Sequence, residues 1–192
     1  MDPLFAFVFF GLFSPGPNVI LLTASGARFG FRRTLPHVAG VAVGVGITAG
    51  LTAFGLGAFL LAVPELKLAL QVLAAGWILW MAWRLLRAGR AAVRSQTDRP
   101  FTLLQAALFQ WVNPKVWAIA VAASAGFPAG LSPFNEAMRM GAAFSSINLG
   151  VCLFWSFAGS LLIYLLSSPR AWRVFNTSMA AALALSAGLV FL

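Results

Sequence analysis

Phe10-Gly-Leu-Phe-Ser-Pro-Gly-Pro-Asn18 interrupts the first long apolar run of this 192-residue chain. Proline has no backbone N–H and clashes with the carbonyl four residues earlier, so two prolines around one glycine break a helix. A shift of 99 positions places Phe10-Gly-Leu-Phe-Ser-Pro15 on Phe109-Gln-Trp-Val-Asn-Pro114, a second Phe-x-x-x-(Ser/Asn)-Pro. The sequence therefore predicts two related halves, each of which begins with a broken helix.

The composition around these breaks is that of a membrane protein. Hydrophobic residues make up 61% of the chain and charged residues 9%, against about 45–50% and about 25% in soluble domains. A soluble fold of this size cannot enclose so much apolar surface. The net charge of +9 does not indicate nucleic-acid binding, because the arginines fall between apolar runs and form no single basic face.

Six apolar stretches are long enough to span a bilayer as helices. They cover approximately residues 4–27, 35–63, 66–86, 102–127, 137–166 and 171–192. We therefore predict an all-α, polytopic membrane protein that forms a single domain over residues 1–192. The first repeat covers about 1–86, a basic cytoplasmic loop about 87–101, and the second repeat about 102–192. With three helices in each half, the second copy enters the membrane in the opposite direction, which makes an inverted repeat.

Loop charges predict the orientation, because Lys and Arg accumulate on the cytoplasmic side. The second loop (Glu65 and Lys67) and the fourth (Glu136 and Arg139) are nearly neutral. The first, third and fifth loops carry most of the arginines: Arg28, Arg32 and Arg33; Arg87, Arg90, Arg94 and Arg99, with Arg84 just before them; Arg170 and Arg173. Six helices with both termini outside satisfy every loop. The N-terminus has no basic segment ahead of the first apolar run, so we expect that run to remain as a helix and not to be cleaved.

The two breaks also form the predicted binding site. Freed backbone groups at mid-bilayer depth are tolerated only where they face protein or a watery cavity. Two symmetry-related breaks would face each other and present carbonyls and amides to a ligand. The predicted substrate-binding residues are Ser14, Pro15, Gly16, Pro17, Asn18, Asn113, Pro114 and Lys115. The alternative interpretation is that the prolines only kink the helices for packing.

Lys115 is the sharpest single candidate, since it follows the second break at mid-depth of the fourth stretch. A buried ammonium is costly unless it is paired or hydrated, so a functional role is the default. We expect it to receive the carboxylate of a substrate, with Asn113 and Asn18 supplying hydrogen bonds. The alternative is a lysine that extends to the interface, but that interface is about two turns away.

The second apolar stretch is rich in glycine. Gly40-x-x-x-Gly44 and Gly46-x-x-x-Gly50 are pairs of small residues at a spacing that lets helix backbones approach closely. This spacing predicts tight packing inside the bundle. A glycine-lined path open to a substrate is the alternative.

Other polar residues are weaker candidates. His37 and Glu136 correspond under the same shift and are possible proton carriers. We expect both to be solvated at the membrane interfaces. Asn148 is expected to form a hydrogen bond between helices. The single cysteine, Cys152, excludes an intrachain disulfide, and no cluster of ligands indicates a metal site or a cofactor.

Three sequence features together resemble the lysine/homoserine exporter (LysE/RhtB) family. These are Ser14-Pro-Gly-Pro-Asn18, the Arg-Phe-Gly-Phe-Arg-Arg loop at 28–33 before a glycine-rich helix, and Asn113-Pro-Lys115. The resemblance covers essentially the whole chain in order and spacing. It implies export of amino acids or their derivatives across the bacterial cytoplasmic (inner) membrane, in exchange for protons. The motif match assigns the central site to Pro15, Gly16, Pro17, Asn18, Asn113, Pro114 and Lys115.

The sequence leaves other functions open. A membrane enzyme would need a nucleophile or metal beside a base, and none is recognisable. A non-transporting assembly subunit would not need the breaks or Lys115. Export of a different small solute or ion is a further alternative, although the ligand clusters that favour metals are missing from the sequence. The expected partners are an amino-acid substrate, protons and the lipid bilayer, and assembly as a homo-oligomer is compatible with the sequence.

Overall fold

A computed structural model describes residues 2–87, 99–164, 166 and 168–188, and every regular element within these ranges is helical. The helices are α1 (Pro3–Phe13), α2 (Pro17–Phe29), α3 (Phe31–Leu51), α4 (Gly57–Ala62), α5 (Pro64–Arg87), α6 (Leu103–Phe109), α7 (Pro114–Gly126), α8 (Pro133–Leu161) and α9 (Pro169–Gly188). A π-helical turn, Thr52–Leu56, joins α3 to α4, and 3₁₀ turns follow α6 (Gln110–Val112) and α8 (Leu162–Tyr164). The predicted all-α class is confirmed.

Prolines determine where most of these helices begin. Proline suits the first helical position, because the N–H that it lacks has no partner there and its φ angle is already helical. Six helices start with a proline: Pro3, Pro17, Pro64, Pro114, Pro133 and Pro169. Two of these prolines, Pro17 and Pro114, lie inside predicted spans, so each both interrupts a span and starts the helix after the break.

The two breaks are matched in the structure, with a small change of register from the sequence comparison. The sequence shift pairs Pro15 with Pro114. In the structure Pro17 takes the place of Pro114, because each is the first residue of a 13-residue helix, α2 or α7. The first break is longer, and this extra length explains the difference.

Membrane-spanning helices are present, which supports the polytopic class. Phe31–Leu56, Leu68–Arg87 and Pro133–Leu161 are each long and apolar enough to cross a bilayer, and α1 with α2 forms a fourth candidate span, bent by 60°. The other two predicted spans correspond to the pair α6–α7 and to α9. The count of six remains a prediction. Arg90 and Arg94 of the predicted basic loop lie outside the described residues.

Helix packing in the two halves follows one scheme. The long helices α3 and α8 pack against each other, and so do α5 and α9. The first helix of each half lies on the long helix of the other, α1 on α8 and α6 on α3. The short helices after the breaks do the same, α2 on α8 and α7 on α3. This reciprocity is what two repeats related by an axis would produce, and their inverted orientation remains a prediction.

The glycines of α3 make close backbone contacts, as predicted. A Cβ on Gly44 would lie 2.7 Å from the carbonyl oxygen of Ala107 in α6. A Cβ on Gly46 would lie 2.9 Å from the carbonyl oxygen of Gly141 in α8, and one on Gly50 would lie 3.0 Å from that of Ala137. Real Cβ atoms rarely approach this closely. The glycine pairs therefore serve tight packing, and Gly46 and Gly50 also line an apolar groove of about 620 Å³ between α3 and α8.

Two apolar cores flank the breaks. The larger joins α1, α3, α7 and α8, and it includes Leu12, just before the first break, and Val116, just after the second. The other joins α5 to α9 and includes Ile20 of α2 and Phe109 of α6. Each broken helix pair thus contributes to both cores, which hold the two breaks between them.

Candidate functional site

The first break presents backbone carbonyl oxygens. The Ser14 N–H still donates to the carbonyl of Phe10 at 3.2 Å, and the helix ladder resumes when Ile20 N–H donates to the Gly16 carbonyl at 3.0 Å. The carbonyls of Ser14 and Pro15 lie between these two ladders. The side chains of Ser14 and Pro15 are exposed, whereas Gly16 is buried. Pro15 and Gly16 have no polar side-chain atoms, so apart from the Ser14 hydroxyl the polar groups of this break are backbone carbonyls.

The second break presents side chains instead. Asn113 follows the 3₁₀ turn with extended backbone angles (φ −91°, ψ 100°) and precedes Pro114, the first residue of α7. Its side chain is 1% exposed and does not cap the helix. Lys115 is the second residue of α7, so its side chain starts from a fixed helical turn directly beside the break.

Lys115 joins the two breaks. Its Nζ donates to the carbonyl oxygen of Ser14, to Ser14 Oγ at 2.9 Å and to the carbonyl oxygen of Pro15 at 3.3 Å. An ammonium group has three donors, and all three have an acceptor here. The structure therefore brings together the two breaks that the sequence predicted to face each other, and the contact between them is a cation held by oxygens.

A buried amide network lies next to this contact. Asn18 Nδ2 donates to Gln110 Oε1 at 2.8 Å, and Gln110 Nε2 donates back to Asn18 Oδ1 at 3.2 Å. Gln110 Nε2 also donates to the Ala106 carbonyl at 2.8 Å, and Asn113 Nδ2 approaches Gln110 Oε1 at 3.4 Å. Gln110 is completely buried. It connects the predicted residues Asn18 and Asn113.

Sequence reasoning missed Gln110 as a site residue. A signal was present, because Gln110 is a polar residue inside an apolar run and belongs to the second copy of the break motif. Its counterpart under the 99-residue shift is Gly11, which has no side chain, so the two copies of the motif share no polar group at this position.

A small cavity lies where these groups meet. Its volume is about 10 Å³, which is room for about one water molecule. It is lined by Leu12, Gly16, Asn18, Val19, Asn113, Lys115, Val116 and Asn148. Asn148 Nδ2 and Asn113 Oδ1 are buried and have no hydrogen-bond partner within the described part of the chain. The expectation that Asn148 bonds to another helix is therefore not met by its Nδ2.

His37 differs from its prediction. We expected a solvated residue at an interface, but its side chain is 2% exposed and its ring centroid lies 5.1 Å from that of Phe101. The expectation of solvation is wrong, because α6 packs on α3 and the segment before α6 covers the second turn of α3. Both ring nitrogens are buried without a partner among the described residues. His37 does not line the cavity.

Glu136 lies in an ion cluster at the start of α8. Arg139 Nη2 donates to Glu136 Oε1 at 2.6 Å and to the Phe127 carbonyl, and Arg139 Nη1 donates to Asp2 Oδ2 at 3.1 Å. Asp2 is also the N-cap of α1, where its carboxylate accepts from Leu4 N–H at 2.9 Å. The cluster ties the start of α1 to the start of α8, and Glu136 is not among the residues that line the cavity.

Comparison with known proteins identifies the family of the chain. The family model "LysE type translocator" matches residues 9–192. The cysteine/O-acetylserine efflux proteins of Salmonella typhimurium and Salmonella typhi are each 29% identical over 180 residues, covering 90% of this chain and 85% of theirs. The protein of the same name from Klebsiella pneumoniae is 30% identical over 114 residues, 59% of this chain and 58% of its own. No solved structure matches the chain.

The family match covers nearly the whole chain, including both breaks and Lys115. The apolar helices are those of a multi-pass membrane protein. The chain belongs to the family of LysE type translocators.

Proposed function

We propose that this protein exports small amino acids or their derivatives across the bacterial cytoplasmic membrane. Its family and the names of its relatives support export of this class of solute. The single observation that carries the proposal is the contact of Lys115 with the first break. That contact already has the two kinds of group that an amino acid needs.

A zwitterion can replace this contact without leaving a charge unpaired. The substrate carboxylate takes the place of the carbonyl oxygens at Lys115 Nζ, which gives a charge-assisted hydrogen bond. The carbonyls of Ser14 and Pro15 are then free to accept from the substrate ammonium. A solute with only one of the two charges would leave either the half-buried lysine or its own charge without a partner, which is costly once binding removes water from the charge.

Substrate binding has to separate the breaks. The cavity has room for about one water molecule, so an amino acid fits only when α7 and its lysine move away from the first break. α2 and α7 belong to different halves. We propose that this separation drives a rocking motion of two inverted three-helix repeats around a midplane site, with both termini outside.

The proposed site consists of the residues that surround the Lys115 contact. Gly16 allows the lysine to approach, and Asn18 with Asn113 positions the two breaks through Gln110. Pro15, Pro17 and Pro114 keep the backbone out of the helical ladder. The full set is Ser14, Pro15, Gly16, Pro17, Asn18, Asn113, Pro114 and Lys115.

Exchange for protons is the proposed energy source. His37 and Glu136 are the proposed carriers: the first is a buried imidazole without a described partner, and the second is a carboxylate in a cluster that joins two helix starts. Imposing a pH gradient across liposomes that contain the purified protein should drive accumulation of the substrate. Uptake that ignores the gradient would contradict antiport.

The export proposal is tested in cells overloaded with individual amino acids or dipeptides. Cells that produce the protein should hold less of the exported compound than cells with an empty vector, and they should grow at concentrations that are otherwise toxic. Purified protein in liposomes should then exchange the same compound. If no amino acid or derivative is lowered in cells or exchanged in liposomes, the proposal is wrong.

A further inference from the structure

Two buried amide atoms at the cavity have no hydrogen-bond partner among the residues that the structure describes. Asn148 is 2% exposed and Asn113 is 1% exposed. Asn148 Nδ2 is a donor and Asn113 Oδ1 an acceptor, and neither makes a hydrogen bond to a described residue. Buried polar groups are almost always hydrogen-bonded, and an exception in a native fold needs an explanation. Both side chains line the cavity beside Lys115.

The two atoms come from elements that are fixed independently. Asn148 lies near the middle of α8, a helix of 29 residues that packs on α1, α2 and α3. Asn113 belongs to the second break and is positioned by Gln110. One donor and one acceptor, held by different elements, thus line one small space in the centre of the protein.

The charge of this space is one-sided. Among the residues that line the cavity, all of which the structure describes, Lys115 carries the only formal charge. A second ammonium on a substrate would therefore meet a lysine and no carboxylate. Buried charges without a partner of opposite sign are strongly disfavoured.

We infer that Asn113 and Asn148 form a subsite for the substrate side chain, which selects small amino acids with a neutral polar group and rejects those with a basic side chain. This inference rests on the proposed function, in which Lys115 and the first break hold the two charges of the substrate. A side-chain hydroxyl fits the subsite best, because it accepts from Asn148 Nδ2 and donates to Asn113 Oδ1 at the same time. Thiol and ester groups offer weaker or partial matches.

L-Serine, L-alanine and L-lysine distinguish the parts of this inference. Serine and alanine differ by one hydroxyl, so the ratio of their kcat/KM values in liposomes reports the subsite alone. Wild-type protein should favour serine over alanine by about tenfold, since alanine leaves two buried groups unpaired. It should exchange lysine no faster than protein-free liposomes.

Asn148→Leu removes the donor and keeps a side chain of similar size. We expect the serine-to-alanine ratio to fall to about two or less, mainly through a higher KM for serine. Asn148→Asp replaces the donor by a carboxylate of the same shape, which gives a substrate ammonium a partner and should admit lysine. Asn135→Leu and Asn135→Asp are matched controls, because Asn135 is exposed in the first turn of the same helix.

Each result is decisive. Unchanged selectivity in both Asn148 variants would overturn the subsite, as would a wild-type protein that does not distinguish serine from alanine. If Asn148→Leu is not recovered from membranes, Asn148→Asp alone decides, because it keeps the size of the side chain. Wild-type protein that exchanges no amino acid would overturn the proposed function and this inference with it, whereas normal exchange with unchanged selectivity in the variants would overturn only the inference.

Discussion

Ser14-Pro15-Gly16 in the first half and Asn113-Pro114-Lys115 in the second occupy equivalent places in the helix order, yet they present different groups. The first offers backbone carbonyl oxygens and buries little side chain. The second offers an amide and an ammonium from side chains, next to the buried Gln110. If the two breaks had identical sequences, groups of the same kind would face each other across the contact. Because the copies have diverged, one break can bind the other, and a zwitterion can replace that bond.

The largest expected effect comes from removing the cation of the second break. Lys115→Met keeps the length of the side chain and removes its charge and its donors. We expect export to fall by at least about a hundredfold, because both the substrate carboxylate and the carbonyls of Ser14 and Pro15 lose their partner. Efflux of radiolabelled substrate from liposomes measures this effect.

The control for this variant is Arg99→Met, which removes a cation that is exposed and outside the cavity. It should insert and export normally. Normal efflux by Lys115→Met would show that transport does not need the cation that joins the two breaks.

The second-largest loss of transport is expected for Gly16→Ala, because Gly16 leaves space for the Lys115 side chain at the first break. A Cβ on Gly16 would lie 2.7 Å from Lys115 Cδ and 3.0 Å from Nζ. The backbone there is extended (φ −176°), so Gly16→Ala tests the contact without backbone strain. We expect transport to fall about tenfold, because a small displacement of a binding group is costly.

Gly150→Ala provides the matched control, since an added Cβ there meets nothing within 4 Å. Its transport should match that of the wild type. Equal transport by Gly16→Ala and Gly150→Ala would mean that Lys115 does not need its position against the first break.

A smaller effect is expected for the amide pair that links the breaks. Asn18→Ala and Gln110→Ala should each lower the free energy of unfolding in detergent, because each removes the two hydrogen bonds between Asn18 and Gln110. The double variant should be less destabilised than the sum of the two, by about 1 kcal/mol. Thermal unfolding followed by fluorescence compares the stability of the wild type, the two single variants and the double variant. Strict additivity would show that Asn18 and Gln110 are not coupled.

The smallest effect is expected for Ser14→Ala. This change removes one of the three acceptors of Lys115 and keeps both carbonyls. Transport should fall about two- to threefold, as expected for one hydrogen bond of modest strength. A loss as large as that of Lys115→Met would show that the Ser14 hydroxyl, and not the backbone carbonyls, is the essential group of the first break.

Much of the architecture was predictable, because apolar length and proline placement are local properties of the sequence. Both breaks, the helical class and the packing role of the glycines in α3 follow from such patterns. Lys115 could be singled out from the sequence because a charge inside a long apolar run is rare, and its role in the site stays a prediction. The offset between Pro15 and Pro17 was not, because only the backbone shows which proline starts α2.

The remaining features depend on which elements pack together. The burial of His37 could not be predicted from the sequence, because Phe101, which covers its ring, is far away along the chain. Gln110 looks like an isolated polar residue until α2 brings Asn18 against it, and Asn148 does so until α1, α7 and α8 are assembled around one cavity. Side-chain partners across helices have no periodic signal, so sequence patterns do not reveal them.

The seam between α3 and α8 has a mechanical consequence. Around Gly46, Gly50 and Gly141 the two backbones meet almost without intervening side chains. Helices usually interlock through ridges of side chains set in grooves, which oppose sliding. At these glycines the seam has few side-chain ridges, so this part of the interface opposes sliding less than a ridge-and-groove contact does. The rocking motion proposed above has to open the polar bonds between the breaks, so in that proposal the same atoms govern how tightly a solute is held and how fast the protein turns over.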